Sequence, residues 1–208
     1  MKDVNVVLIG VGGQGTLLAS KILGALAVGL HRDAKVSEVH GMAQRGGSVL
    51  TFFRMGERIH APMIGPGGAD YVLAFEKLEA ARGLPYLRRG GLMIVNQQEI
   101  PPITVVTGAA KYPSDVLESV RERAEIVSIN AFELARKAGE PRAVNLVLLG
   151  AFARFTGFDP SVWDRAIEET VPQRSLRVNM EAFRAGYIST ANGSERNDRI
   201  DGMARMEP

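Results

Sequence analysis

The sequence predicts an α/β fold, a mostly parallel sheet with helices on both faces and a helical C-terminal third, and three observations carry that prediction. Short apolar runs rich in β-branched residues alternate with helical stretches as far as Ile129, the order that builds a parallel sheet with both faces covered. The first run ends in a glycine-rich loop that opens a helix, the strand-loop-helix order of a Rossmann-like unit. Beyond Ile129 the strands stop and helical periodicity takes over.

Residues 4–9 form an apolar, β-branched run ending at glycine, suited to a buried parallel strand. From 14 to 29 the side chains of Leu18, Ile22 and Leu26 recur every fourth position, and Ala19, Ala25 and Ala27 permit close packing on a sheet. Residues 35–39 and 48–54 read as the second and third strands. Gly65-Pro66-Gly67-Gly68 marks a turn before a fourth, 70–75, and a short helix over 76–82. A fifth strand spans 92–96; Pro101-Pro102 then breaks the chain ahead of 103–107, read as a further strand. Residues 114–123 are helical with Ser114 as N-cap, and 125–129 closes the strand series. Four helices follow, over 131–138, 141–155, 161–169 and 175–188, with Pro141 suited to a first turn and Asp159-Pro160-Ser161 to a helix start. The stretch 144–155 is apolar on nearly every side, which fits either a central core helix or packing on a partner chain. Residues 1–188 are expected to form one domain, and the polar segment 189–208 a flexible tail.

Composition narrows the function. With 46% hydrophobic and 23% charged residues in 208, the chain has the make-up of a folded globular protein. A formal net charge of only +2 gives nucleic acid no basic stripe to bind. There is no cysteine, which excludes disulfides and any thiolate-ligated zinc or iron–sulfur centre held by this chain. Met1-Lys2-Asp3 runs straight into an apolar strand, without a signal-peptide layout or an apolar run of membrane-spanning length, so a cytoplasmic location is expected.

Gly10-Val11-Gly12-Gly13-Gln14-Gly15 satisfies G-x-G-x-x-G in the setting that gives it meaning. Unsatisfied N–H groups at the helix start, reinforced by the helix dipole, favour a phosphate there without any lysine. The glycines also serve a tight strand-to-helix turn that has no ligand at all. A dinucleotide would want an acidic residue near the end of the second strand for its ribose, and Glu38 is the one candidate. A stand-alone NAD(P)-dependent oxidoreductase therefore remains an alternative.

A second segment, Glu38-Val39-His40-Gly41-Met42-Ala43-Gln44-Arg45-Gly46-Gly47-Ser48-Val49, joins strands two and three. Arg45 offers a bidentate fork for phosphate or, equally, a surface or interface salt bridge, and Gly46-Gly47 can close on an anion without Cβ obstruction. Both segments can converge at the carboxyl edge of the sheet, where open α/β folds place ligands. Together they make the chain resemble, from about Val4 to Ile188, the gamma-type subunits of 2-oxoacid:ferredoxin oxidoreductases, with the aryl-pyruvate branch nearest in pattern.

The resemblance implies a division of labour. In such enzymes a 2-oxoacid is decarboxylated on thiamine diphosphate, electrons pass through iron–sulfur clusters to ferredoxin, and coenzyme A takes the acyl group. It implies that thiamine diphosphate and the clusters sit on a large catalytic partner subunit, and that this chain completes a hetero-oligomer and helps bind coenzyme A. Gly12, Gly13, Gln14 and Gly15, with Gln44, Arg45, Gly46 and Gly47, are then the phosphate-contact candidates. Indolepyruvate, or else pyruvate, 2-oxoglutarate or a branched-chain oxoacid, would be the complex's substrate.

Other residues are set aside. His31 and His60 lack the spacing of a metal pair, and His40 reads as a structural or interface hydrogen-bonding group. Ser48 has no neighbouring base to make it a nucleophile. Glu76-Lys77-Leu78-Glu79 reads as a solvated helix start, and Trp163 with Phe152, Phe155 and Phe158 as core or interface anchors.

Overall fold

The computed structural model describes residues 3–41 and 47–190. Six strands, β1 (Val4–Val11), β2 (Asp33–His40), β3 (Ser48–Gly56), β4 (Ala69–Ala74), β5 (Leu87–Asn96) and β6 (Glu125–Ile129), form one sheet in the order β2-β3-β1-β4-β5-β6. Its helices are α1 (Thr16–Gly29), α2 (Lys77–Gly83), α3 (Ile103–Val106), α4 (Val116–Arg121), α5 (Ala131–Lys137), α6 (Val144–Thr156), α7 (Pro160–Thr170) and α8 (Gln173–Ser189). β1, β4, β5 and β6 run parallel, whereas β3 is antiparallel to both β1 and β2. The connection between β2 and β3 is too short for a parallel crossover, so the two must form an antiparallel pair.

Strand alternation sorts the core into two layers. On one face Val6, Leu8, Phe53, Leu73, Ile94 and Val127 pack under α1 and the helices from α5 onward. On the other, Val7, Ile9, Phe52, Val72, Met93 and Ile126 meet Ala80 of α2 and Leu117 and Val120 of α4. The near-continuous apolar reading of β1 follows from burial on both sides.

α6 is the central helix of the thicker layer, buried from Val144 to Ala153. It is covered within this chain by α8, and glycine makes that possible. A Cβ on Gly150 would lie 1.9 Å from the Phe183 carbonyl oxygen, and one on Gly186 would lie 2.0 Å from that of Val147. Tyr71, Phe152 and Trp163 form an edge-to-face row with ring centroids 5.0 and 5.9 Å apart, continued by Phe183 at 5.6 Å from Trp163.

Two local expectations are corrected. Residues 103–107 are not a strand: α3 is a single helical turn whose Val105 and Val106 N–H groups donate to the Pro102 carbonyl. The segment buries no face as a strand would, Ile103 and Val106 standing 72% and 69% exposed. The helix expected over 114–123 begins at Val116, with Asp115 rather than Ser114 at the cap position.

Candidate functional site

The carboxyl edge of β1 and β4 holds the first glycine segment in a cramped turn. A Cβ on Gly10 would come within 2.9 Å of both Phe75 Cβ and Gln14 Oε1. Gln14 acts as the clamp: its Oε1 accepts from the Val11 N–H at 2.8 Å, and its Nε2 donates to the Phe75 carbonyl at 3.0 Å. Gly15 caps α1 with φ 82°, and the buried Asn145 at the start of α6 donates to its carbonyl at 3.2 Å. A Cβ on Gly15 would lie 2.8 Å from the Asn145 amide nitrogen.

These contacts divide the loop's donors into used and free. The Gly12 N–H donates to the Gly47 carbonyl at 3.0 Å, and the Gln14 N–H to the Val11 carbonyl at 3.2 Å. Among the described residues no acceptor takes the N–H of Gly13 or Gly15, and the first turn of α1 has neither a side-chain cap nor an acidic residue. Gly13, at φ 96°, would have nothing within 4 Å of an added Cβ, so its surroundings are open. A group of unpaired N–H donors at a helix N-terminus is a place where an anion is stabilised.

Gln44, Arg45 and Gly46 lie outside the described residues. Their flanks do not, and these flanks are cross-braced against the first loop. Besides the Gly12–Gly47 bond, the Gly41 N–H donates to the Ser48 carbonyl at 3.1 Å, and the β1–β3 register sets Val11 opposite Ser48. Both glycine segments thus leave and enter the sheet side by side.

Glu38 falls elsewhere. Because β3 lies between β1 and β2, Glu38 sits two strands from the glycine loop, roughly 10 Å away across the sheet. Its carboxylate is taken by His40 Nε2 at 2.7 Å and by the Thr51 hydroxyl at 3.4 Å. A ribose held at the first loop cannot reach it, so the dinucleotide reading loses its acidic partner.

The start of α2 departs from the solvated surface expected of it. Glu76 and Glu79 are each only 1% exposed. Glu76 caps α2 by accepting from the Glu79 N–H at 3.0 Å, and also accepts from the Ile100 N–H at 3.2 Å and from the Tyr112 hydroxyl. Glu79 accepts from the Ser48 hydroxyl at 2.5 Å and pairs with Arg82. A buried carboxylate is costly unless partnered, and both are. Burial, then the Glu76 contact, pushes the Tyr112 phenol well above its ordinary value.

Glu79 therefore holds the residue next to Gly47, and Asn96 ties the remaining strands. The fully buried Asn96 donates to the Phe75 carbonyl at 3.1 Å and accepts from the Ala131 N–H at 3.1 Å. Sequence reasoning missed both roles. The signal for Glu79 was available in the spacing of an acidic cap and a second acid three residues on; Asn96 had none beyond closing a strand. Among the described residues there is no cluster of three metal-ligating side chains, and no helix is long and apolar enough to cross a membrane.

The family model of pyruvate ferredoxin/flavodoxin oxidoreductases matches residues 5–188. The chain belongs to that family. Among relatives, the indolepyruvate oxidoreductase subunit IorB of Thermococcus kodakarensis is 40% identical over 194 residues, covering 89% of this chain and 95% of its own length. The gamma subunit of a keto/oxoacid ferredoxin oxidoreductase from Geobacter sulfurreducens superposes with a TM-score of 0.70 over 91% of this chain and 99% of its own. A 2-oxoglutarate:ferredoxin oxidoreductase from Magnetococcus marinus, solved with 2-oxoglutarate, coenzyme A and succinyl-CoA bound, gives 0.72 over 94% of this chain and 32% of its own longer one. At 21% and 15% identity these two likenesses are of fold. Both glycine segments, the two buried glutamates and Asn145 lie inside the pyruvate ferredoxin/flavodoxin oxidoreductase match.

Proposed function

We propose that this chain is the small, non-catalytic subunit of a cytoplasmic indolepyruvate ferredoxin oxidoreductase, a complex that oxidatively decarboxylates aryl 2-oxoacids to acyl-CoA and reduces ferredoxin. The observation that carries the reading is the 40% identity to the indolepyruvate oxidoreductase subunit across 95% of that protein. Chemistry supports it: a chain without cysteine supplies no thiolate for an iron–sulfur cluster, so the electron path belongs to a larger partner.

Within that complex this chain contributes part of a coenzyme A site. The residues fit the group's pyrophosphate. The N–H groups of Gly13 and Gly15 are free at the N-terminus of α1, Gly13 stands in open surroundings, and Gly47, the last residue of the second candidate set Gln44, Arg45, Gly46 and Gly47, is hydrogen-bonded to Gly12. The carboxylates of Glu76 and Glu79 are already engaged within the protein, Glu76 by the Tyr112 hydroxyl and Glu79 by Arg82.

Anaerobic co-expression with the large subunit tests the proposal. The expected result is a stable complex that reduces a viologen dye with indolepyruvate and coenzyme A, favouring aryl over aliphatic oxoacids. Full activity of the large subunit without this chain would overturn it.

A further inference from the structure

We infer, resting on the coenzyme A site proposed for this chain, that Glu79 is a positioning residue for its anion-binding loop. Through the Ser48 hydroxyl it fixes the Gly47 carbonyl that holds Gly12, and so presets the free N–H of Gly13.

Glu79 does not cap its own helix. The cap of α2 is Glu76, whose carboxylate accepts from the Glu79 N–H at 3.0 Å. The Glu79 side chain, 1% exposed, instead accepts at 2.5 Å from Ser48, 31 positions away in the chain, and pairs with Arg82. Taking a carboxylate out of water is costly, and a hydrogen bond to it is roughly twice as strong as one between neutral groups. That strength is applied at Ser48, the first residue of β3.

Two backbone hydrogen bonds meet there. The Ser48 carbonyl accepts from the Gly41 N–H at 3.1 Å, and the Gly47 carbonyl, in the planar peptide that enters Ser48, accepts from the Gly12 N–H at 3.0 Å. Gly47 has no side chain with which to fix that carbonyl. Anchoring the short serine side chain holds the peptide beside it, so the direction of the Gly47 carbonyl follows from the Glu79 contact.

The peptide between Gly12 and Gly13 carries the Gly13 N–H, which has no acceptor among the described residues. Nothing lies within 4 Å of a Cβ added to Gly13, so no packing holds it. Its orientation comes from its neighbours: Gln14, clamped to Val11 and Phe75, on one side, and Gly12, tied to Gly47, on the other. Donors preset in this way bind an anion more tightly, because the ligand does not have to order them.

Amide hydrogen exchange and coenzyme A binding test the two links separately. In the full-length chain, Ser48→Ala should speed exchange of the Gly12 N–H about tenfold, the order of one hydrogen bond, relative to Val7 and Leu8 within β1. In the complex with the large subunit, the same substitution should raise the calorimetric Kd and the KM for coenzyme A about tenfold while kcat and complex yield are retained. Ser48→Thr, which keeps the hydroxyl, should restore both readouts, and Glu79→Gln, which leaves it only a neutral partner, should fall between. Unchanged Gly12 exchange in Ser48→Ala overturns the inference, as does faster Gly12 exchange with unaltered coenzyme A affinity. Equal acceleration at Gly12, Val7 and Leu8 overturns it too, because that is a general loss of stability. Failure of the unsubstituted complex to bind coenzyme A counts instead against the coenzyme A reading, and Gly12 exchange still decides whether Glu79 positions the loop.

Discussion

At the scale of single residues, the proposed ligand contacts separate into side chains that hold the loop and side chains offered to the ligand. Gln14 belongs to the first group: both ends of its amide are bonded inside the protein, so its part in the proposed anion site is to shape the turn. Arg45 is the test of the second group. Arg45→Ala should raise the KM for coenzyme A in the assembled complex about tenfold while leaving kcat and complex yield unchanged, as expected for loss of one charge-assisted contact. A fall in yield at constant KM would make Arg45 an interface residue. Tyr112 gives a pH signature. Its folded pKa is raised above the free value of 10.0, by burial first and the Glu76 hydrogen bond second. The contribution is complete below that value and is lost as pH rises beyond it, because the unfolded chain then releases a proton the folded one retains. Denaturant midpoints measured across this range should fall less steeply in Tyr112→Phe, with Tyr71, also raised by burial, providing the remaining slope.

At the scale of elements, helical glycines have opposite meanings according to what they face. Gly150 and Gly186 allow α6 and α8 to touch backbone to backbone, so Gly150→Ala forces the helices apart and should cost about 3 kcal/mol, the upper end of overpacking. Gly24, in α1, has nothing within 4 Å of an added Cβ. Gly24→Ala should therefore stabilise the protein by about 0.5–1 kcal/mol through helix propensity alone. Chemical denaturation of the two variants checks the sign of each. Neither role was legible in the sequence, because what each glycine faces is set by the packing of its helix. The β-branched run at 103–106 misled for a related reason: strand propensity describes a half-buried, paired surface, and this segment has no strand beside it.

At the scale of the whole molecule, the decisive feature is the sheet order. By lying between β1 and β2, β3 moves Glu38 away from the glycine loop and brings Gly47 and Ser48 to it. The same loop motif that serves dinucleotides elsewhere is thereby joined to a second glycine segment in place of an acidic ribose contact. Calorimetric titration of the complex should accordingly show binding of coenzyme A and none of NAD at the same concentrations. NAD binding competitive with coenzyme A would refute this account of the sheet's effect.

What the sequence alone determined is what local chemistry determines. Apolar runs and helical periodicity placed the six strands and most of the helices, the strand-glycine-helix order located the first loop, and the missing cysteines excluded cluster chemistry in this chain. The paired glycine motifs pointed to the family because they are contiguous in the chain. What only the tertiary structure decided depends on partners distant in sequence: the insertion of β3 beside β1, the burial of Glu76 and Glu79 under Tyr112 and Ser48, the Asn145 buttress on Gly15, and the contact of α6 with α8. A glutamate at a helix start is identical on paper whether it faces water or a phenol brought from 36 positions away. The free energy of burial that separates the two cases arises only when the chain closes over it.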